Sequence, residues 1–302
     1  MAAGSQRGSI LLWNVDRGIS QLLGKAHEAK VRALALSPDG SRLVSGGEDG
    51  MVRLWDPQTG GKVTTLGGHA GAVTCVATSL EGTVAASASD DGTVRVWRLA
   101  DGASIASCDA AGGAVHGLAF GRDGATLAVA RGDNSVTIHD SRQGTVLGRL
   151  PTNLGRILSV VFSPDGQRLA TTHEIPTTFL WDTTDWSLAA TLPGRYVQTG
   201  PTVFSPDSAR VVLGGTDGVI RLWDPERVSV LFTAKAHPLA ILTAAVSPDG
   251  LLVASGSTDG IVRIHGRRQR EVFAHQGDHA DGERAATNPV DAGIKNAGGV
   301  GF

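Results

Sequence analysis

In an acyl-transfer triad histidine takes the serine proton while aspartate orients the imidazole. In this 302-residue chain they recur at fixed offsets, as His27, Ser45 and Asp49, then His69, Ser87 and Asp91, then His237, Ser255 and Asp259. A nucleophilic serine of the hydrolase type stands on a Gly-x-Ser-x-Gly elbow, and the chain contains none. Other chemical motifs fail on spacing. His173-Glu174 opens like a zinc-protease pair, but no second histidine follows four residues on, and Pro176 would break the helix that motif needs. Gly24-Lys25 is followed by Ala26 where a phosphate loop places a hydroxyl, and no glycine stands at the required spacing before it. Asp90-Asp91-Gly92 is an isolated turn, whereas a calcium loop gathers several oxygens on one point. We therefore expect no catalytic residue, no metal site and no cofactor, and the repeated triad calls for a structural explanation.

The elements that position these residues repeat as well. Trp13, Trp55, Trp97, His139, Trp181, Trp223 and His265 are each 42 residues apart, and Asp39, Glu81, Asp123, Asp165, Asp207, Asp249 and Asp291 keep the same step. Seven slots in one phase predict a repeat architecture, and the stretches between turns are too short for helical repeats. Within one period, Val31 to Leu36 is a β-rich run closed by Ser37-Pro38-Asp39-Gly40, whose proline and glycine suit a tight turn. Arg42 to Gly47, Met51 to Trp55 and Lys62 to Leu66 complete four antiparallel strands, with a hairpin at Glu48-Asp49-Gly50. A sheet this small must pack against neighbours on both faces. The expected fold is all-β, a seven-bladed β-propeller of four-stranded antiparallel blades.

His27, Ser37 to Gly40, Ser45 to Gly50 and the Trp55-Asp56 pair resemble the WD-repeat family, in a bacterial-type version, over nearly the whole chain. The resemblance implies that His27, Ser45, Asp49 and Trp55, and likewise His69, Ser87, Asp91 and Trp97, form buried hydrogen-bonded sets that hold each blade together. A buried indole N–H and imidazole each need a partner, which is the physical reason for such sets. Later periods depart from the pattern. His265 fills the tryptophan slot beside His237, Ser255 and Asp259; Thr171 and Trp181 keep two members, as do Asp217 and Trp223; one period has only Asp133. At the histidine phase the middle periods carry Ala111, Asn153 and Arg195.

The chain begins in the phase of a second strand and ends near the same phase. The N-terminus is thus expected to supply the third and fourth strands of a last blade, around Ile10 to Trp13 and Ile19 to Leu23. Residues 279–302, a degenerate repeat, would supply the others, so that the last blade is shared between the termini and residues 1–302 form one domain. The rival reading is a fragment of a longer repeat protein. A net charge of −2 gives no global attraction for nucleic acid or an anionic membrane, and no apolar run is long enough to span a bilayer. With two cysteines, free thiols and a cytoplasmic setting are expected.

The functional expectation is a scaffold that binds other proteins or peptides. Its alternatives are a detached C-terminal sensor propeller of a signalling ATPase or kinase chain, or a propeller hydrolase or lyase. Partner contact is expected at Arg156, Glu174, Arg195, Tyr196 and Gln198, because Ala72, Ala114 and Ala240 fill the phase of Arg156 and Gln198 elsewhere, and binding surfaces favour arginine and tyrosine.

Overall fold

The computed structural model describes residues 2–14, 19–109, 113–151, 155–194, 199–266 and 270–272. They form seven antiparallel sheets arranged as a seven-bladed β-propeller, with no helix among the described residues. Blade one runs through Val31–Leu36, Leu43–Gly47, Met51–Trp55 and Lys62–Gly68, from the innermost strand outward. Blades two to six repeat this order, and their innermost strands are Val73–Thr78, Val115–Phe120, Ile157–Phe162, Thr199–Phe204 and Ile241–Val246. Among the described residues, blade seven holds three N-terminal strands, Ala2–Gly4, Ile10–Asn14 and Ile19–Leu23.

Phase alone gives the N-terminus two strands, but it holds three. Ala2–Gly4 pairs antiparallel with Ile10–Leu12, so the second strand of blade seven is also N-terminal and only the innermost is left to be supplied. The stretch expected to supply it, 279–302, lies outside the described residues.

Each core is built between neighbouring blades. Ile10 and Leu12 of blade seven pack with Val31, Leu43 and Trp55 of blade one, and Val44 and Leu54 of blade one pack with Val73 and Trp97 of blade two. Each buried Val, Leu or Ile contributes about 1.5–3 kcal/mol of transfer free energy, and no single sheet can collect it alone.

Antiparallel succession sorts the connections onto two faces. Turns between the first and second strands, and between the third and fourth, emerge on one face, here the turn face. Hairpins between the second and third strands emerge on the other, the loop face, together with the links between blades. At the loop-face end of the innermost strand the register shifts by one residue in each of blades one to six. Such bulges re-aim a side chain, and in blades one and three the residue at the shift is Arg32 and His116.

Candidate functional site

The triad-like residues of blade one lie in one buried line. Trp55 Nε1–H donates to Ser45 Oγ at 2.8 Å, Ser45 Oγ and His27 Nε2 are 2.7 Å apart, and His27 Nδ1 is 2.9 Å from Asp49 Oδ1. Arg53 Nη1 donates to Asp49 Oδ2 at 2.8 Å and closes the line. Burial lowers the His27 pKa against the opposing pull of Asp49. Burial also works against the Asp49 carboxylate, yet hydrogen bonds from Arg53 and His27 hold it well below the usual range. Ser45 has no solvent exposure and its oxygen already accepts the indole N–H, so nothing can approach Oγ as a substrate would. The set holds Trp55 in place between the second and third strands.

Blade two varies the line by one relay. His69 Nδ1 is 2.9 Å from Thr93 Oγ1, which donates to Asp91 Oδ1 at 2.7 Å, while Ser87 Oγ accepts from Trp97 and meets His69 Nε2 at 2.8 Å. Burial opposes ionisation of Asp91, but the hydrogen bonds from Thr93 outweigh it and hold the carboxyl at about 2. In blade six His237 meets Asp259 and Ser255, and His265 Nε2 lies 3.0 Å from Ser255 Oγ in place of the indole.

The middle blades fill the same space from a different position. In blade four the imidazole comes from His173, at the end of the second strand. Its Nε2 is 3.1 Å from Thr171 Oγ1, which accepts from Trp181 at 2.9 Å. The residue in register with His173 in blade one is Gly47, where an added Cβ would lie 2.3 Å from His27 Nδ1. A loop histidine and a large strand residue therefore exclude each other. Blade three obeys the same rule with Arg131, which is buried, donates to Thr137 Oγ1 at 3.0 Å, and reaches His139 in the tryptophan slot. Blade five has Leu213 at the serine position, and the buried Trp223 indole N–H finds no acceptor. His173 and Arg131 escaped the sequence reading, although a signal exists: Gly47 and Ser89 accompany loop histidines, whereas Arg131 and His173 accompany Ala111 and Asn153.

On the loop face, Arg156 and Glu174 are brought together. Both are exposed, and Glu174 N–H donates to Arg156 O at 2.7 Å, tying the link into blade four to its hairpin. Arg195, Tyr196 and Gln198 lie outside the described residues. The structure adds neighbours that the sequence reading missed. Burial, and after it the Arg156 charge, lowers the His116 pKa, while Asp90 pulls it up. Asp90 pairs with Arg32 at 3.0 Å, and Arg32 lies 3.6 Å from Glu48. A row of charged and titratable side chains, Glu48, Arg32, Asp90, His116, Arg156 and Glu174, thus lies across blades one to four. Arg32 and His116 occupy the bulge position, which a strict two-residue strand alternation does not reveal. Among the described residues no three His, Cys, Asp or Glu side chains gather as a metal ion would require.

Comparison with known families agrees with this geometry. The profile described as "WD domain, G-beta repeat" matches residues 20–56, 60–98, 191–224 and 228–265, and that of the "Anaphase-promoting complex subunit 4 WD40 domain" matches 81–165. The chain belongs to the WD-repeat family. No curated protein matches it. Residues 166–190 fall between the WD-repeat matches, and they hold His173, Thr171 and Trp181, where the imidazole has moved from loop to strand.

Proposed function

We propose that this WD-repeat propeller is a non-enzymatic platform for another protein or peptide, met on the loop face over blades three to five. One observation carries the reading. In blade four the buried imidazole comes from the strand residue His173, the link before the blade meets it through the backbone carbonyl of Gly155, 3.3 Å from Nδ1, and Arg156 and Glu174 stand exposed and adjacent beside it. Loops on a rigid scaffold are where binding residues collect. Arginine and tyrosine are enriched in binding hot spots, which supports Arg156 and Tyr196 as anchors. The row from Glu48 to Glu174 offers both signs of charge, a pattern that selects orientation more than raw affinity. We place the platform in the cytoplasm, in keeping with a sequence of two cysteines that offers no disulfide framework.

The test is a double substitution, Arg156→Ala with Tyr196→Ala, followed by thermal melting and quantitative pull-down beside the unsubstituted chain. Partners lost at an unchanged melting temperature support the reading. Full recovery of the same partners places the contact on another face, and a lowered melting temperature makes the two residues part of the scaffold.

A further inference from the structure

The turn face carries an aromatic residue that the repeat does not ask for. The turn between the third and fourth strands ends in a glycine in blades one to three. Gly60, Gly102 and Gly144 have φ of 72°, 75° and 74°, and each donates its N–H to the residue four before it. Blade four makes the same turn bond, Trp186 N–H to Asp182 O at 2.9 Å, with a tryptophan at φ 61°. Val228 holds the same slot of blade five at φ 49°, so what sets blade four apart is the aromatic ring and not the backbone angle. Trp186 is only half-buried, unlike Trp55, Trp97, Trp181 and Trp223. Its ring meets Phe162 edge-on, with centroids 6.4 Å apart, and passes beside Gly148 of the preceding blade.

Beside this ring lies an open cleft of about 520 Å³, walled by the turns of blades two to four. Glu81, Asp123 and Asp165 line it, against a single basic residue, Arg122. Three carboxylates against one guanidinium leave the lining net acidic, with the Arg122 guanidinium turned towards the Asp165 carbonyl at 3.5 Å. The field extends beyond the cleft, since the first turns of blades one to six each carry an acid, from Asp39 to Asp249. A half-exposed indole beside carboxylates recognises a cation, preferably the flat guanidinium, which stacks on aromatic faces and pairs with carboxylates.

We propose that Trp186, with Glu81, Asp123 and Asp165, forms a second binding site on the turn face that takes an arginine side chain from a basic segment of a protein partner. The site is on the face opposite Arg156 and Glu174, so its failure would leave the loop-face reading untouched. The direct test uses a fluorescently labelled hexa-arginine peptide and the full chain, with hexa-glutamate as control. Three variants are compared with the unsubstituted chain: Trp186→Gly, which restores the residue of blades one to three; Trp186→Phe, which keeps an aromatic face; and Glu81→Gln with Asp123→Asn. Fluorescence anisotropy is expected to show hexa-arginine binding that weakens at least tenfold in Trp186→Gly and in the double amide variant and is largely kept in Trp186→Phe. Hexa-glutamate is expected not to bind. Unchanged affinity in Trp186→Gly at an unchanged melting temperature would overturn the site and leave only the diffuse field of the acidic turns. No hexa-arginine binding to the unsubstituted chain would overturn it equally. If Trp186→Gly melts lower, full affinity in the double amide variant is the overturning result.

Discussion

Blades one and four bury an imidazole, a hydroxyl and an indole in the same arrangement, but draw the imidazole from opposite sides of the site. In blade one it comes from His27, in the link before the blade, and Gly47 must stay small to admit it. In blade four it comes from His173, in register with Gly47, and the sequence carries Asn153 at the repeat phase of His27. In both blades the polar set gives the tryptophan an acceptor, since a buried indole N–H without one is costly, although blade five folds with its Trp223 N–H unsatisfied. The route by which the imidazole arrives is free to change. Where it arrives from the strand, the link meets the ring through the Gly155 carbonyl, 3.3 Å from His173 Nδ1, and beside it the chain places Arg156 next to Glu174.

The largest expected effect tests whether the two sets carry similar structural weight. Trp55→Ala and Trp181→Ala should each destabilise the protein by about 3–5 kcal/mol, the range for emptying a large buried aromatic site. Denaturant unfolding measures both, and an unchanged midpoint for either would separate the two blades. Next, His27→Ala and His173→Ala should each cost about 1–3 kcal/mol through a lost hydrogen-bond partner, despite their different positions in the repeat. A costly His27→Ala beside a silent His173→Ala would show that blade four does not depend on its strand histidine.

Blade five gives a sharper contrast. Trp55→Phe removes an indole N–H that Ser45 accepts, whereas Trp223→Phe removes one that is buried without an acceptor. Trp55→Phe should therefore be the more destabilising by about 1 kcal/mol. Equal costs would mean that packing volume alone decides both.

The smallest effect is one of pH. Burial lowers the pKa of His27, His69, His139, His173 and His265 below the ordinary histidine value. For a group whose folded pKa is depressed, the unfolded chain binds the proton first, so stability is present above the unfolded value of about 6.5 and is lost as pH falls from there. The melting temperature should begin to drop below about pH 6.5, before the carboxylates titrate, and His173→Gln should flatten that slope. A flat profile down to pH 5 would mean that the rings are not held neutral.

The 42-residue step was legible because each blade spends the same residue types at its turns and in its third strand, and the four-strand blade followed from proline, glycine and β-rich runs. The sets of blades one and two were legible as a resemblance. His173 and Arg131 were not, because the same space is entered from a different point in the repeat, and only the steric conflict between a Cβ at Gly47 and the His27 ring connects the two positions. The charge row was half legible. Arg156 and Glu174 stand out by phase, but Arg32 and His116 reach it through the bulges, which shift the alternation by one residue. Trp186 escaped because its slot reads as an ordinary turn until its backbone angle is known.

The exchange of a loop imidazole in blade one for a strand imidazole in blade four is the organising feature of these two sites. It is tested by grafting blade four's solution into blade one. His27→Asn with Asp49→Ile removes the loop histidine and its carboxylate, reproducing Asn153 and Ile175, and adding Gly47→His supplies the ring from the strand. Thermal and denaturant unfolding should show the triple variant to be more stable than the double variant by about 1–3 kcal/mol, the worth of re-pairing a buried polar set. A triple variant less stable than the double would contradict that exchange.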